Sequence, residues 1–353
     1  LPDWPANTRK TPDNARLFPA LTGLYTALFG AYLCMGFGIG RAQAVGGRSV
    51  FKRIALLVLT NFAVMAAISF VLGVLNALGV FGHGDFMRNY GPLVVLSGVA
   101  GFGGSFISLL ASKWIAKWTT GARVISQPRT SDEAWLLQTV QQLAERAGVA
   151  TPEVAIYESP ELNAFATGAT RNSSLVAVSS GLLTRMNRSE VEAVIGHELS
   201  HVANGDMVTL TLLQGVLNTF VIFFSHVIGR LIDSALRGER DDERRGGGMG
   251  QFFATMLAQF VLGFLAMLII NAFSRWREFR ADRGGANLAG RAKMIAALRR
   301  LGAERETALP DNLAAFGING GGLVGLLRSH PPLEQRIQAL QAEGYGRTVN
   351  ASV

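Results

Sequence analysis

Three shortages in this chain each remove a class of protein. A single cysteine, Cys34, in 353 residues excludes an internal disulfide framework and leaves no set of thiolates for a structural zinc. Charged residues make up only 16% of the sequence, against about 25% in a typical soluble domain. With 49% apolar residues and a positive mean hydropathy, the chain is too greasy for an ordinary soluble globule of its length. Histidine is scarce as well, five in all, so any pair of histidines at a meaningful spacing stands out. The first 30 residues hold no basic, apolar, small-residue pattern of a cleaved leader. The net charge of +8 raises the question of nucleic acid. The basic residues, however, gather at the ends of apolar segments instead of forming one stripe, which points to a lipid bilayer as partner and not to nucleic acid.

What the chain does have is uncharged runs. Five reach the roughly 20 residues that a helix needs to cross a bilayer: Leu17–Gly40, Ile54–Gly82, Tyr90–Ser112, Met207–Gly229 and Phe252–Ser274. The third carries Gly98, Gly101, Gly104 and Ser105, small residues at a spacing that lets helices pack closely in lipid. The layout that follows has five parts. Residues 1–50 are an N-terminal extension with a candidate transmembrane helix, and 51–112 form a membrane hairpin. A soluble segment spans 113–206, a second membrane hairpin with a polar linker at 230–251 spans 207–274, and a second soluble segment spans 275–353. In the first soluble segment, Thr130 to Glu133 reads as a capping box opening a helix that ends near Gly148. Val154–Tyr157 and Leu175–Val178 read as strands, with Asn163–Ala166 a third.

Asn187 to Glu190 opens another helix, and this one carries His197-Glu198-Leu199-Ser200-His201. A spacing of four turns an α-helix by about 400°, so both imidazoles leave the same face and can hold one Zn²⁺. Glu198, about 100° away, is placed to take a proton from a metal-bound water. Val191, Val194, Ile195 and Val202 fit the apolar side of this helix, which is expected to run on into the fourth apolar run.

A hydrolytic zinc needs a third protein ligand and an open fourth position. If the fourth and fifth runs form an antiparallel hairpin, Glu278, just past Ser274, returns to the side where His201 entered. Within about 10 Å of the same membrane surface at 1.5 Å per residue, Glu278 becomes the ligand. Asp282, one turn on, accepts a hydrogen bond from the outer nitrogen of a ligand histidine. Of the other histidines, His83 lies on the far turn, and His226 is deep in the fourth run, about 37 Å from His201 along a continuous helix. His226 reads as a packed intramembrane polar group. His330, in Ser329-His330-Pro331-Pro332, can approach from the soluble side as a donor to the oxyanion. Arg41, Arg48, Lys52, Arg53, Lys113, Lys117, Arg275, Arg277, Arg280 and Arg283 all fall on that side, which the positive-inside rule makes cytoplasmic. The basic residues of the polar linker argue mildly the other way. Asn163 and Ala164 resemble the edge strand that binds the peptide backbone in thermolysin-like proteases.

Together these segments resemble the HtpX family of bacterial membrane zinc endopeptidases, related to the CAAX prenyl endoprotease. The matching stretches are Gly103–Leu110, Asn163–Gly168, His197–Asp206, Glu278–Asp282 and Ser329–Pro332, and the resemblance runs from about Phe51 onward. It implies a polytopic helical protein of the inner membrane with a cytosolic α+β zincin domain. It also implies one zinc on His197, His201 and Glu278, and a role in quality control and stress response on unfolded or membrane-protein polypeptides. Two other readings stay open: a site-specific processing protease of the prenyl type, and a zinc-bearing membrane chaperone that gains nothing from Glu198. A transporter would need more ionisable residues in its spans than His226.

Overall fold

The computed structural model describes residues 86–237, 249–308 and 328–349. The first two apolar runs, His83, residues 238–248 of the polar linker and part of the last segment lie outside the described residues.

Among the described residues, three helices are long and apolar enough to cross a membrane: α1 (Phe86–Thr120), α5 (Asp206–Arg237) and α6 (Met249–Ala289). They coincide with the third, fourth and fifth runs. Leu93 and Val94 of α1 pack on Phe223 and Val227 of α5 in a core of their own. Six described helices and strands follow α1 in order: β1 (Arg123–Val124), α2 (Ser131–Arg146), β2 (Glu153–Tyr157), β3 (Ala164–Thr170), β4 (Ser173–Ser179) and α3 (Ser180–Arg185). Then come α4 (Arg188–Asn204) before α5, and α7 (Arg291–Ala308) and α8 (Leu333–Val349) after α6.

The sheet runs β1-β2-β4-β3. β2 pairs parallel with β4, and β3 pairs antiparallel with β4 as the end strand. One face carries Val154, Val176 and Val178 into the main core with Leu136 and Leu143 of α2, Ile195 and Leu199 of α4, and Leu298 of α7. The other face, with Ala155, Tyr157 and Phe165, packs on Ala116 of α1. Burial on both faces is what the nearly continuous apolar reading of β4 requires.

Helix α1 outruns its apolar segment by two turns, because no breaker intervenes before Gly121 at φ 65. In those turns Lys113 and Lys117 both hold the carboxylate of Glu153 on β2, tying the helix to the sheet. These two hydrogen bonds, against a smaller opposing effect of burial, hold Glu153 below its ordinary value.

The capping expectations hold unequally. At α4 the box is complete, Asn187 and Glu190 each accepting from the other's backbone N–H. At α2 only half of it forms: Thr130 accepts from the Glu133 N–H at 3.1 Å. The Glu133 side chain turns instead to the N–H of Arg129 and to Arg123, whose guanidinium is the stronger partner.

The helix carrying the histidine pair does not run on into the fourth run. It stops at Asn204, and Gly205, at φ 91 in the left-handed region, starts α5 in a new direction. Glycine reaches that conformation without the clash that a Cβ brings. His226 therefore sits on a separate helix, and the distance along one continuous helix no longer applies to it. Its Nδ1 lies 2.8 Å from the Ile222 carbonyl oxygen, one turn back.

Candidate active site

Helix α4 passes between the sheet and α6, and close backbone contact sets how near the two helices lie. A Cβ on Gly284 would come within 2.6 Å of the Ser200 Cβ, and one on Gly285 within 2.9 Å of the His197 nitrogen. With only hydrogen there, α6 presents Glu278 and Asp282 directly to the histidine pair.

His197, His201 and Glu278 are all buried, and their ligand atoms lie within 4.8 Å of one another. The Nε2 of His197 is 3.5 Å from Glu278 Oε2, and the Nε2 of His201 is 3.2 Å from Oε1. Ligands about 2.0–2.1 Å from a tetrahedral zinc lie roughly 3.3 Å apart, so this donor set and its spacing suit that ion. The rings stand edge to face with centroids 4.6 Å apart, each with its Nδ1 turned outward. The Nδ1 of His197 is 2.9 Å from Asp282 Oδ1. A group holding Nδ1–H fixes the tautomer that leaves the Nε2 lone pair for a metal.

Glu198 is buried beside the pair, and its Oε2 accepts a hydrogen bond from the Ala166 N–H at 2.8 Å. Ala166 lies on β3, the end strand. In an antiparallel ladder alternate residues direct both backbone groups to the same side. Ser179 donates to the Asn163 carbonyl at 2.9 Å, and Asn163 donates to the Ser179 hydroxyl at 3.2 Å. The backbone of Asn163 therefore faces β4, while those of Ala164 and Ala166 face the open edge. That narrows the sequence reading: Ala164 has backbone groups to offer a peptide, and Asn163 has only its side chain. Behind them burial, with Glu161 and then Glu198 adding to it, pushes the Tyr157 phenol up to about 12, so this wall stays neutral at working pH.

His330 reaches the site from the loop before α8. Its Nδ1 is 3.0 Å from Glu278 Oε2 and its side chain is about half exposed. Arg275 steadies that loop by donating to the Arg328 carbonyl at 2.8 Å. His226, on the membrane helix α5, is not part of the described cluster.

Two charged residues at the centre were not singled out by sequence. Arg336 of α8 is buried and grips Asp282 with two hydrogen bonds, Nε to Oδ2 at 2.7 Å and Nη2 to Oδ1 at 2.6 Å. The same Nη2 is 3.5 and 3.4 Å from the two ring nitrogens of His197. Burial opposes the charge on Arg336, but Asp282, Glu278 and Glu198 outweigh it and hold the group cationic. The other residue is Asp206, fully buried, with Oδ2 3.3 Å from the Nδ1 of His201. Its place five residues after His201, behind a glycine, was the available signal. No local pattern marks Arg336.

A model of peptidase family M48 matches residues 130–344, a span that takes in every residue of this cluster. The chain belongs to peptidase family M48. Among its relatives, Protease HtpX of Stenotrophomonas maltophilia (strain R551-3) is 55% identical over 83% of this chain and 99% of its own. Protease HtpX of Pseudomonas aeruginosa (strain UCBPP-PA14) is 54% identical over 82% and 98%. The crystal structure of S. mikatae Ste24p superimposes with a TM-score of 0.50 at 16% identity, covering 77% of this chain and 65% of that one. That likeness is one of fold. As an M48 member of the HtpX type, the chain is a metal-dependent membrane peptidase.

Proposed function

We propose that this M48 peptidase is a zinc endopeptidase that cuts misfolded or damaged membrane proteins at the cytosolic face of a bacterial inner membrane. The observation that carries the reading is the convergence of His197, His201 and Glu278 beside Glu198, one helical turn beyond the apolar run of α6. Zinc held by these three residues would polarise the scissile carbonyl and bring the pKa of a water towards about 7. Glu198 takes the proton of the attacking water and returns it to the leaving amine as the C–N bond breaks. Asp282 keeps the His197 ring in its metal-binding tautomer. His330 supplies a donor for the charge that develops on the carbonyl oxygen. The peptide adds as a strand to the open edge of β3, pairing with the backbone of Ala164 while the Asn163 side chain reaches over it.

Lys113 and Lys117 at the end of α1, and Arg275, Arg280 and Arg283 on α6, lie at the peptidase end of the membrane helices. They support a cytosolic site by the positive-inside rule. The test uses protein purified under chelation in detergent, with casein as substrate. Cleavage should return with added Zn²⁺ and stop again on chelation; zinc-independent cleavage would sink the reading. For orientation, a cysteine placed at Glu239 in a Cys34→Ser background should react with an impermeant thiol reagent added outside intact cells.

A further inference from the structure

We propose that Asp206 and Arg280 form a positioning pair for the ligand His201, a counterpart of what Asp282 and Arg336 provide for His197. The inference rests on the zinc-peptidase reading and deepens it. Asp206 is fully buried, and its two oxygens serve different partners: Oδ2 faces the Nδ1 of His201 at 3.3 Å, and Oδ1 bonds the Nη2 of Arg280. Were α4 continuous, residue 206 would sit five places past His201, about 140° around the helix, and the two side chains would diverge. The left-handed turn at Gly205 brings the carboxylate back onto the ring. The chain thus breaks a helix at the place where the break delivers an acceptor to a metal ligand.

Arg280 links this acceptor to the third ligand. It lies on α6 two residues after Glu278, and its guanidinium stacks on Trp276 at 5.1 Å from the ring centroid. Each histidine then has its own carboxylate, and each carboxylate has its own arginine: Asp282 with Arg336, and Asp206 with Arg280. An Nδ1–H donated to a carboxylate fixes the ring and makes Nε2 a better ligand. The competing explanation is purely structural. Asp206 opens α5, and an acidic residue in the first turn stabilises a helix whether or not a metal is nearby.

The two explanations separate on metal binding. Wild-type, Asp206→Asn, Arg280→Gln and Arg280→Lys proteins are purified in detergent and stripped of metal. Zinc affinity is measured by chelator competition, the Co²⁺-loaded visible spectrum is recorded, and kcat and KM are determined on casein at saturating zinc. Asp206→Asn should bind zinc about 10- to 100-fold more weakly, change the Co²⁺ spectrum, and lower kcat with KM unchanged, all with wild-type helicity. Arg280→Gln should move the same way by a smaller factor, and Arg280→Lys should recover part of the loss. Zinc affinity within about twofold of wild type in Asp206→Asn, where a supporting ligand contact is worth tenfold or more, overturns the proposal. If Asp206→Asn does not fold, Arg280→Gln, at a partly exposed position, decides, and unchanged affinity there overturns it too. A wild-type protein that binds no zinc overturns the zinc-peptidase reading first.

Discussion

Every ionisable group around the histidine pair is answered by a neighbour, and Arg336 does this over the longest reach in sequence. It holds Asp282 by two hydrogen bonds and lies close to both ring nitrogens of His197. Arg336→Leu would leave Asp282 buried without its cation, at a cost of about 3–5 kcal/mol, and free the carboxylate to swing off His197. The variant should unfold at lower denaturant and lose zinc faster to a chelator. A stability within about 0.5 kcal/mol of wild type, the range of ordinary surface substitutions, would contradict this. His197, Glu198 and His201 were legible because helical spacing encodes their geometry locally. Glu278 and Asp282 followed from their own spacing and the returning membrane hairpin. Arg336 was not legible, since it lies on α8, far in sequence from both Asp282 and His197. Asp206 was hidden by the assumption of a continuous helix, and the backbone direction of Asn163 by a ladder register that sequence does not fix.

Among the elements, the α4–α6 contact governs the site. Gly284→Ala should gain about 1 kcal/mol in helix propensity, yet its Cβ would press on Ser200. Overpacking of this kind costs about 1–3 kcal/mol. The prediction is a net loss of stability and weaker zinc binding in calorimetry; a variant more stable than wild type with full zinc affinity would show that the two helices are not set by this contact. At the other end of the sheet, Lys113 and Lys117 hold Glu153 ionised. A carboxylate depressed below its ordinary 4.5 stabilises the fold above that value, and the contribution is lost as pH falls through the lowered one. Glu153→Gln should therefore narrow the gap in melting temperature between pH 6 and pH 3; an equal gap in both proteins would remove Glu153 from the pH response. Three of the four described strands and the three described membrane-length helices were readable from apolar patterning and uncharged runs, whereas β1, the two extra turns of α1 and its grip on the sheet were not. Hydropathy ends where the lipid-facing stretch ends, but the helix ends only at a breaker, here Gly121.

For the molecule as a whole, α1 and α6 leave the apolar layer and continue as the frame of the peptidase core. Among the described residues, the membrane-length stretches and the peptidase core thus share two continuous helices. Glu278 lies on the same helix as the fifth apolar run, which fixes the height of the site relative to that run. In the proposed reading, a substrate brings its scissile bond to that level and lays its backbone along β3. The central claim is that Glu198 performs proton transfer at a metal held by its neighbours, and one comparison tests it most directly. Zinc-loaded wild-type and Glu198→Gln proteins, with equal metal content, are incubated with casein in detergent. The account predicts equal zinc in both and cleavage by the wild type alone, the variant slower by about 10²–10⁴-fold, the usual contribution of a general base. Near-normal turnover by zinc-loaded Glu198→Gln would contradict it.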